Sequence, residues 1–245
     1  MEVLVPTLFP KARLRSAVSL AMIALLVVAR AKSISAQQPS AGLKQADADY
    51  RAGVQALSRN DLNTALDDFE KVVHLAPAAY QGHSALGAVL LRQGRVREGI
   101  SELEKALAIQ PSDASAQLNL AVGYQQNGQP AKALGLFSKL ESTALLARRP
   151  LAPATLDSYA HALAAAGQQK AAIAKMKQAA ALEPNNADFQ NDLGTLYAQQ
   201  EDWPDAKTAL STAVRARPDF AGAHLRLGLT LKALQYQSQL VGSRG

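Results

Sequence analysis

A chain of 245 residues with 48% hydrophobic content can bury a sizeable core, as one large domain or two small ones, and is not disordered by composition. Aromatics make up only 5%, and apolar residues recur at three and four rather than two, which points to an all-helical protein; zero cysteines exclude disulfides, thiol catalysis, thiolate metal sites and a lipid-modified N-terminal cysteine. The formal charge of +6 divides into +4 for residues 1–36 and +2 for the other 209, with no basic stripe in the body, so nucleic acid is not an expected partner.

The first element explains that division. Lys11, Arg13 and Arg15 precede "SAVSLAMIALLVVA" (16–29), and small residues follow at Ala29, Ala31 and Ala36. A positive start, a short apolar run and a small-residue site describe a secretory signal peptide, cut after Ala31 or Ala36. The run of 14 is short for a bilayer span, which needs about 17 or more. Arg30 and Lys32 follow it directly and favour the other reading, an uncleaved N-terminal anchor. Residues 37–45 read as a linker between this segment and a repeat domain spanning 46–245.

The repeat domain has a beat. A glycine or alanine stands at Gly53, Gly87, Ala121, Ala160, Gly194 and Gly228, in steps of 34, 34, 39, 34 and 34. Pro77, Pro111, Pro184 and Pro218 close units on the same beat. Units lie near 46–79, 80–113, 114–152, 153–186 and 187–220, with a partial one at 221–245. Each reads as two helices. In the second unit the first helix carries Leu86, Gly87 and Leu90, the chain turns near Gly94, and the second helix carries Gly99, Leu103 and Ala106. Second helices hold small residues at Ala65, Gly99, Ala133, Ala172 and Ala206. Small residues on both helices predict a close seam between them. Because Ala121 and Ala160 share the register of Gly87 and Gly194, alanine is expected to be tolerated at both glycines.

Two units depart from the beat. The third lacks its closing proline and gains five residues in "STALLARRPLAP" (142–153), so its second helix is expected to run to about Ala147 before Pro150 and Pro153 break it. Leu145, Leu146, Arg148 and Arg149 there read as a surface connection or a local contact site. The sixth unit offers Leu227, Leu231 and Leu234 as an apolar face, with only "QYQSQLVGSRG" to cover it. That end is a candidate for self-association or partner contact.

These residues carry a resemblance. Leu86-Gly87, Leu120-Ala121-Val122-Gly123-Tyr124, Leu193-Gly194 with Tyr197, Ala65 with Phe69 and Ala133 with Phe137 resemble the tetratricopeptide repeat, whose pattern runs W-x2-L-G-x2-Y, then A-x3-F, then proline. The tryptophan position is not kept; it holds Asp49, His83, Gln117, Leu156, Gln190 and His224. The resemblance implies a right-handed superhelical solenoid of stacked antiparallel helix pairs, about five full repeats plus a terminal helix. It also implies a concave face, lined by first helices, that binds a peptide segment or partner protein. On that face the register places Tyr50; Ser84 and Arg92; Leu118 and Gln125; Asp157 and His161; Asn191 and Thr195. Some members hold peptide carboxylates with lysine and asparagine on first helices, but Tyr50 and Val54 occupy the matching first-unit positions, so that clamp is not expected here.

No phosphate-binding loop, nucleophile elbow or H-E-x-x-H pair occurs. "DADYRAG" (47–53) starts like a calcium loop, but Arg51 and Ala52 fall where a ligand and a glycine are needed. His74, His83, His161 and His224 lie in different units, and packing accounts for them better than metal binding. The expectation is a non-catalytic scaffold without metal or cofactor, exported to the periplasm or beyond. The alternative is a membrane-tethered assembly factor that keeps its N-terminal helix as an inner-membrane anchor.

Overall fold

The computed structural model describes residues 41–242, and among them eleven helices and no strand are found. The expected signal peptide or anchor (1–36) lies outside the described residues. Ten helices form five pairs: α1 (Ala41–Ser58) with α2 (Leu62–Leu75), α3 (Tyr80–Arg92) with α4 (Val96–Ile109), α5 (Ala114–Gln126) with α6 (Pro130–Leu146), α7 (Pro153–Ala165) with α8 (Gln169–Leu182), and α9 (Ala187–Gln199) with α10 (Trp203–Ala216). A last first helix, α11 (Ala221–Gly242), follows them. Helix α1 starts inside the stretch expected as a linker, because Ala41, Leu43, Lys44 and Gln45 are all good helix formers. Gln45 Nε2 also donates to Asp49 Oδ1 one turn on, at 2.9 Å.

Each pair turns by one device. Asn60, Gly94, Gly128, Gly167 and Glu201 take φ of +59°, +78°, +68°, +76° and +58°. The next N–H then reaches five residues back: Asp61 to Ala56 O at 2.9 Å, Arg95 to Leu90 O at 2.9 Å, Gln129 to Tyr124 O at 2.8 Å, Gln168 to Leu163 O at 2.9 Å, Asp202 to Tyr197 O at 3.0 Å. This is the left-handed ending that satisfies the last carbonyls of a helix. Second helices then start from Asp61 or Asp202, whose carboxylates accept from Thr64 and Asp205 N–H, or from Pro130 in the first turn.

Pairs are joined to one another by a second recurring bond, at the degenerate tryptophan position. The side chain six residues after each closing proline donates to that proline's carbonyl: His83 Nε2 to Pro77 O at 3.0 Å, Gln117 Nε2 to Pro111 O at 2.7 Å, Gln190 Nε2 to Pro184 O at 3.0 Å, His224 Nε2 to Pro218 O at 2.8 Å. A donor thus replaces tryptophan without loss of register. Leu156, six residues after Pro150, has nothing to donate.

The core is a string of local clusters. Phe69, Leu86 and Val89 form one, Leu91, Leu103 and Leu120 a second, and Phe137, Tyr159, Met176, Leu193 and Leu196 a third. Phe137 and Tyr159 stack with centroids 5.1 Å apart. First helices also touch the first helix of the next unit, α3 with α5, α5 with α7 and α9 with α11.

Within a pair the seam is closer than the alanine register implied. A Cβ on Gly87 would stand 2.6 Å from Leu103 Cγ and 2.9 Å from Gly99 O, and one on Gly194 would stand 2.6 Å from Leu210 Cγ. None of these distances is a van der Waals contact, so the expectation that alanine is tolerated there is corrected. Ala121 and Ala160 fit in the units of Phe137 and Met176, which shows that each pair sets its own spacing. Gly228 holds the same register on α11, yet a Cβ there meets nothing within 4 Å.

These facts predict opposite signs at equivalent positions. Gly87→Ala and Gly194→Ala should each destabilise by about 1–2 kcal/mol through overpacking that exceeds the gain in helix propensity. Gly228→Ala should stabilise by up to about 1 kcal/mol, since only propensity changes. Urea melts of the three variants decide it; equal shifts at Gly194 and Gly228 would mean that the seam is not the cause.

Candidate functional site: the first-helix face

The nine side chains expected on the first-helix face do not stand equally open. Arg92 and His161 are exposed; Tyr50, Leu118, Gln125, Asp157 and Thr195 are half-buried; Ser84 and Asn191 are buried. Burial follows from local chemistry. Tyr50 leans on Phe69, centroids 5.5 Å apart, and burial, with the charge of Asp113 nearby, pushes its hydroxyl above the ordinary tyrosine range. Ser84 Oγ donates to Asp113 Oδ2 at 3.3 Å, the carboxylate that also caps α5 by accepting from Ser115 and Ala116 N–H. Leu118 packs against the third cluster, and Thr195 Oγ1 donates to Asn191 O one turn back at 2.8 Å. Arg92 Nη2 reaches Asn60 Oδ1 in the first turn at 2.7 Å.

The C-terminal half of this face is linked across three units. His161 Nε2 lies 3.2 Å from Asp192 Oδ2, a hydrogen bond, and 3.3 Å from Asp157 Oδ1, a charge contact without hydrogen-bond geometry. The two carboxylates, Asp157 first and Asp192 second, push the imidazole up to about 10, so it is cationic at neutral pH. Asn191 Nδ2 donates to Asp192 Oδ1 at 2.9 Å, and Arg226 Nη1 on α11 donates to Asn191 Oδ1 at 3.4 Å. Two carboxylates, an imidazolium and a guanidinium therefore share one strip and balance in charge. Asp157, His161 and Asp192 are also the residues, among those described, whose ligand atoms cluster within 4.8 Å. In the metal-free chain the two carboxylates face the imidazolium instead.

Asp192, Arg226 and Asp113 were not anticipated. Asp192 and Arg226 stand 34 residues apart, in the repeat column next to the one that supplied Asn191, so a face drawn one column wider would have included both. Of the three leucines expected to form the C-terminal apolar face, Leu231 is exposed, and Leu227 and Leu234 are half-buried. Helix α11 runs without a break to Gly242 instead of folding back over its own face.

Two family profiles, both described as tetratricopeptide repeat, match residues 43–114 and residues 90–145 with 163–227. The chain belongs to the tetratricopeptide repeat family. Tetratricopeptide repeat proteins act as protein-interaction scaffolds, and theirs is typically a non-catalytic fold. The peroxisomal targeting signal receptor of Candida albicans is 28% identical over 191 residues, which cover 74% of this chain and 31% of that protein. The chain therefore spans about a third of the length of that curated relative. The solved structure of pilF from Pseudomonas aeruginosa superposes with a TM-score of 0.66 at 15% identity, covering 82% of this chain and 89% of that one. MamA from Desulfovibrio magneticus RS-1 superposes at 0.62 and 15%, covering 72% and 97%. At those identities the likeness is one of fold. No helix among the described residues is long and apolar enough to cross a membrane.

The raised imidazole gives this tetratricopeptide repeat protein a pH signature. A folded value near 10 against about 6.5 unfolded means that the ion contacts contribute fully below pH 6.5 and fade as pH rises through 10. His161→Gln should cost at most about 1 kcal/mol at pH 6, given the exposure of the site, and almost nothing above pH 10. Melts of both proteins across that range test it; a gap that stays constant with pH would remove the assignment.

Proposed function

We propose that the chain is an exported, non-catalytic scaffold that holds a peptide segment of a partner protein along its first-helix, concave face. One observation carries this reading: the side-chain network running from Asp157 through His161, Asp192 and Asn191 to Arg226. It lays donors and acceptors in alternation over three units with no net charge. Such a strip suits the alternating N–H and C=O groups of an extended backbone better than a phosphate or a run of one charge. Half-buried Gln125 and exposed Arg92 extend polar contact toward the N-terminal units. A relative named as a receptor for a targeting signal agrees with recognition of another protein's segment. A second contact surface, for another copy or a partner, is offered by Leu227, Leu231 and Leu234 beside the open seam at Gly228.

A photo-crosslinking amino acid at Gln125, Leu231 or Lys207 in the native cell separates these surfaces. Lys207, exposed on a second helix, is the control. Position 125 should yield adducts with a partner protein, position 231 should yield self-adducts or a different partner, and position 207 should yield neither. Equal labelling from 125 and 207 would defeat the concave-face reading.

Export rests on Lys11, Arg13 and Arg15 before the apolar run 16–29. Arg30 and Lys32 directly after it favour the second reading, a membrane-tethered assembly factor. N-terminal sequencing of the protein from its native cell decides between them. A start at Lys32 or Gln37 is the expected result; an intact Met1 in the membrane fraction would establish the tether instead.

A further inference from the structure

The solenoid departs from its regular pattern twice at one place, the junction between the third and fourth units. Its second helix, α6, runs 17 residues where α2, α4, α8 and α10 each run 14. After the extra turn the chain crosses residues 147–152 to α7, and Leu156 stands where four other units place a side chain that bonds the proline carbonyl. The result is an open cleft of about 610 Å³, within the range of ligand-holding sites. Its walls are apolar: Leu145 from α6, Leu151 from the connection, Leu156 from α7, and Ala181 with Leu182 from α8.

The charges at the cleft are of one sign. Glu141, on its wall, is paired with Lys175 and so neutralised. Arg148 and Arg149 line it too, and among the described residues neither makes an ion pair or a side-chain hydrogen bond. Arg148 also sits at φ +52°, with Arg149 N–H bonded to Ala144 O at 2.9 Å, the same left-handed ending that glycine fills after three of the first helices. A side chain at that φ carries a steric cost that glycine avoids. Beyond the cleft, Leu146 is 87% exposed, so apolar surface continues past the site itself. An occupant that covers both is a chain segment rather than a compact molecule.

We propose that this cleft is a second docking site, for a segment of a partner protein that sets a leucine-like or aromatic side chain among Leu145, Leu151, Leu156 and Leu182 and places an acidic residue beside it against Arg148 and Arg149. None of its lining residues belongs to the Asp157–Arg226 network, and it does not depend on that network's role.

Selection of a random-peptide display library on the full chain tests this, with Arg148→Gly and Ala181→Trp as comparison baits. Arg148→Gly removes one cation and relieves the left-handed strain, so its melting temperature should rise while binding falls; a misfolded variant cannot give that pair of results. Ala181→Trp fills the cleft from an exposed position on α8. The expected outcome is a peptide class with an apolar residue next to an aspartate or glutamate, bound about tenfold more weakly by either variant and weakened by salt. A selection with no such class overturns the proposal, as does a class that both variants bind as tightly as the parent. Self-association of the parent that both substitutions abolish would place a second copy in the cleft and would also overturn it.

Discussion

Everything in this solenoid depends on how closely the two helices of a unit can approach. At the crossing of α3 and α4, Gly87 and Gly99 leave backbone against backbone, with Leu103 filling the space a Cβ would need. Close approach multiplies dispersion contacts along the pair, and because each contact is weak the gain exists only if the whole seam is close. A glycine in mid-helix costs roughly 1 kcal/mol in propensity, and that cost is local, whereas the seam it opens serves every residue on the two faces. The same bargain explains why the small residue moves with the period while its neighbours vary freely.

A pair held that tightly is rigid, and rigid pairs must be joined at fixed angles to stack. Two hydrogen-bonded devices supply the joints. Inside each unit a left-handed residue reverses the chain in a set number of steps, with Asn60 and Glu201 standing in for the glycine found in the other three. Between units the carbonyl of the closing proline receives a side-chain donor from the next first helix. That second joint accounts for four of the six lost tryptophans. Histidine and glutamine fill less volume than indole but still reach the carbonyl, so the joint exchanges bulk for a directional bond.

The period was legible in the sequence because every packing contact that sets the fold lies within one unit or its neighbour. Steps of 34 between Gly53 and Gly228 therefore carried the helix pairs and the turns, and the one step of 39 carried the long α6. What the period did not carry was any contact whose two ends belong to different units and whose geometry depends on side-chain reach. The bond from His161 to Asp192 spans 31 residues, and Asp192 lies one column outside the face counted along α9. Ser84 and Asn191 sat on the counted face, but hydrogen bonds to Asp113 and Asp192 draw them inward. The alanine register misled for a related reason: letters report which residue is small, and the distance between two helices is decided jointly by all residues in their seam.

Departures from such a regular pattern are informative because the rest of the chain supplies the comparison. Helix α11 repeats the first-helix pattern with Gly228 in register, and the space that Leu210 takes up against Gly194 is open there. The third unit repeats the second-helix pattern but continues past its stop and keeps an arginine where the backbone favours glycine, and the fourth unit that follows has Leu156 in place of a carbonyl-bonding donor. Each change alone would be an ordinary variation of a surface connection. Together they remove a hydrogen bond, open an apolar cleft and set on it two cations that are unpaired among the described residues, and no packing requirement of the solenoid calls for that combination, since the four other second helices end at 14 residues.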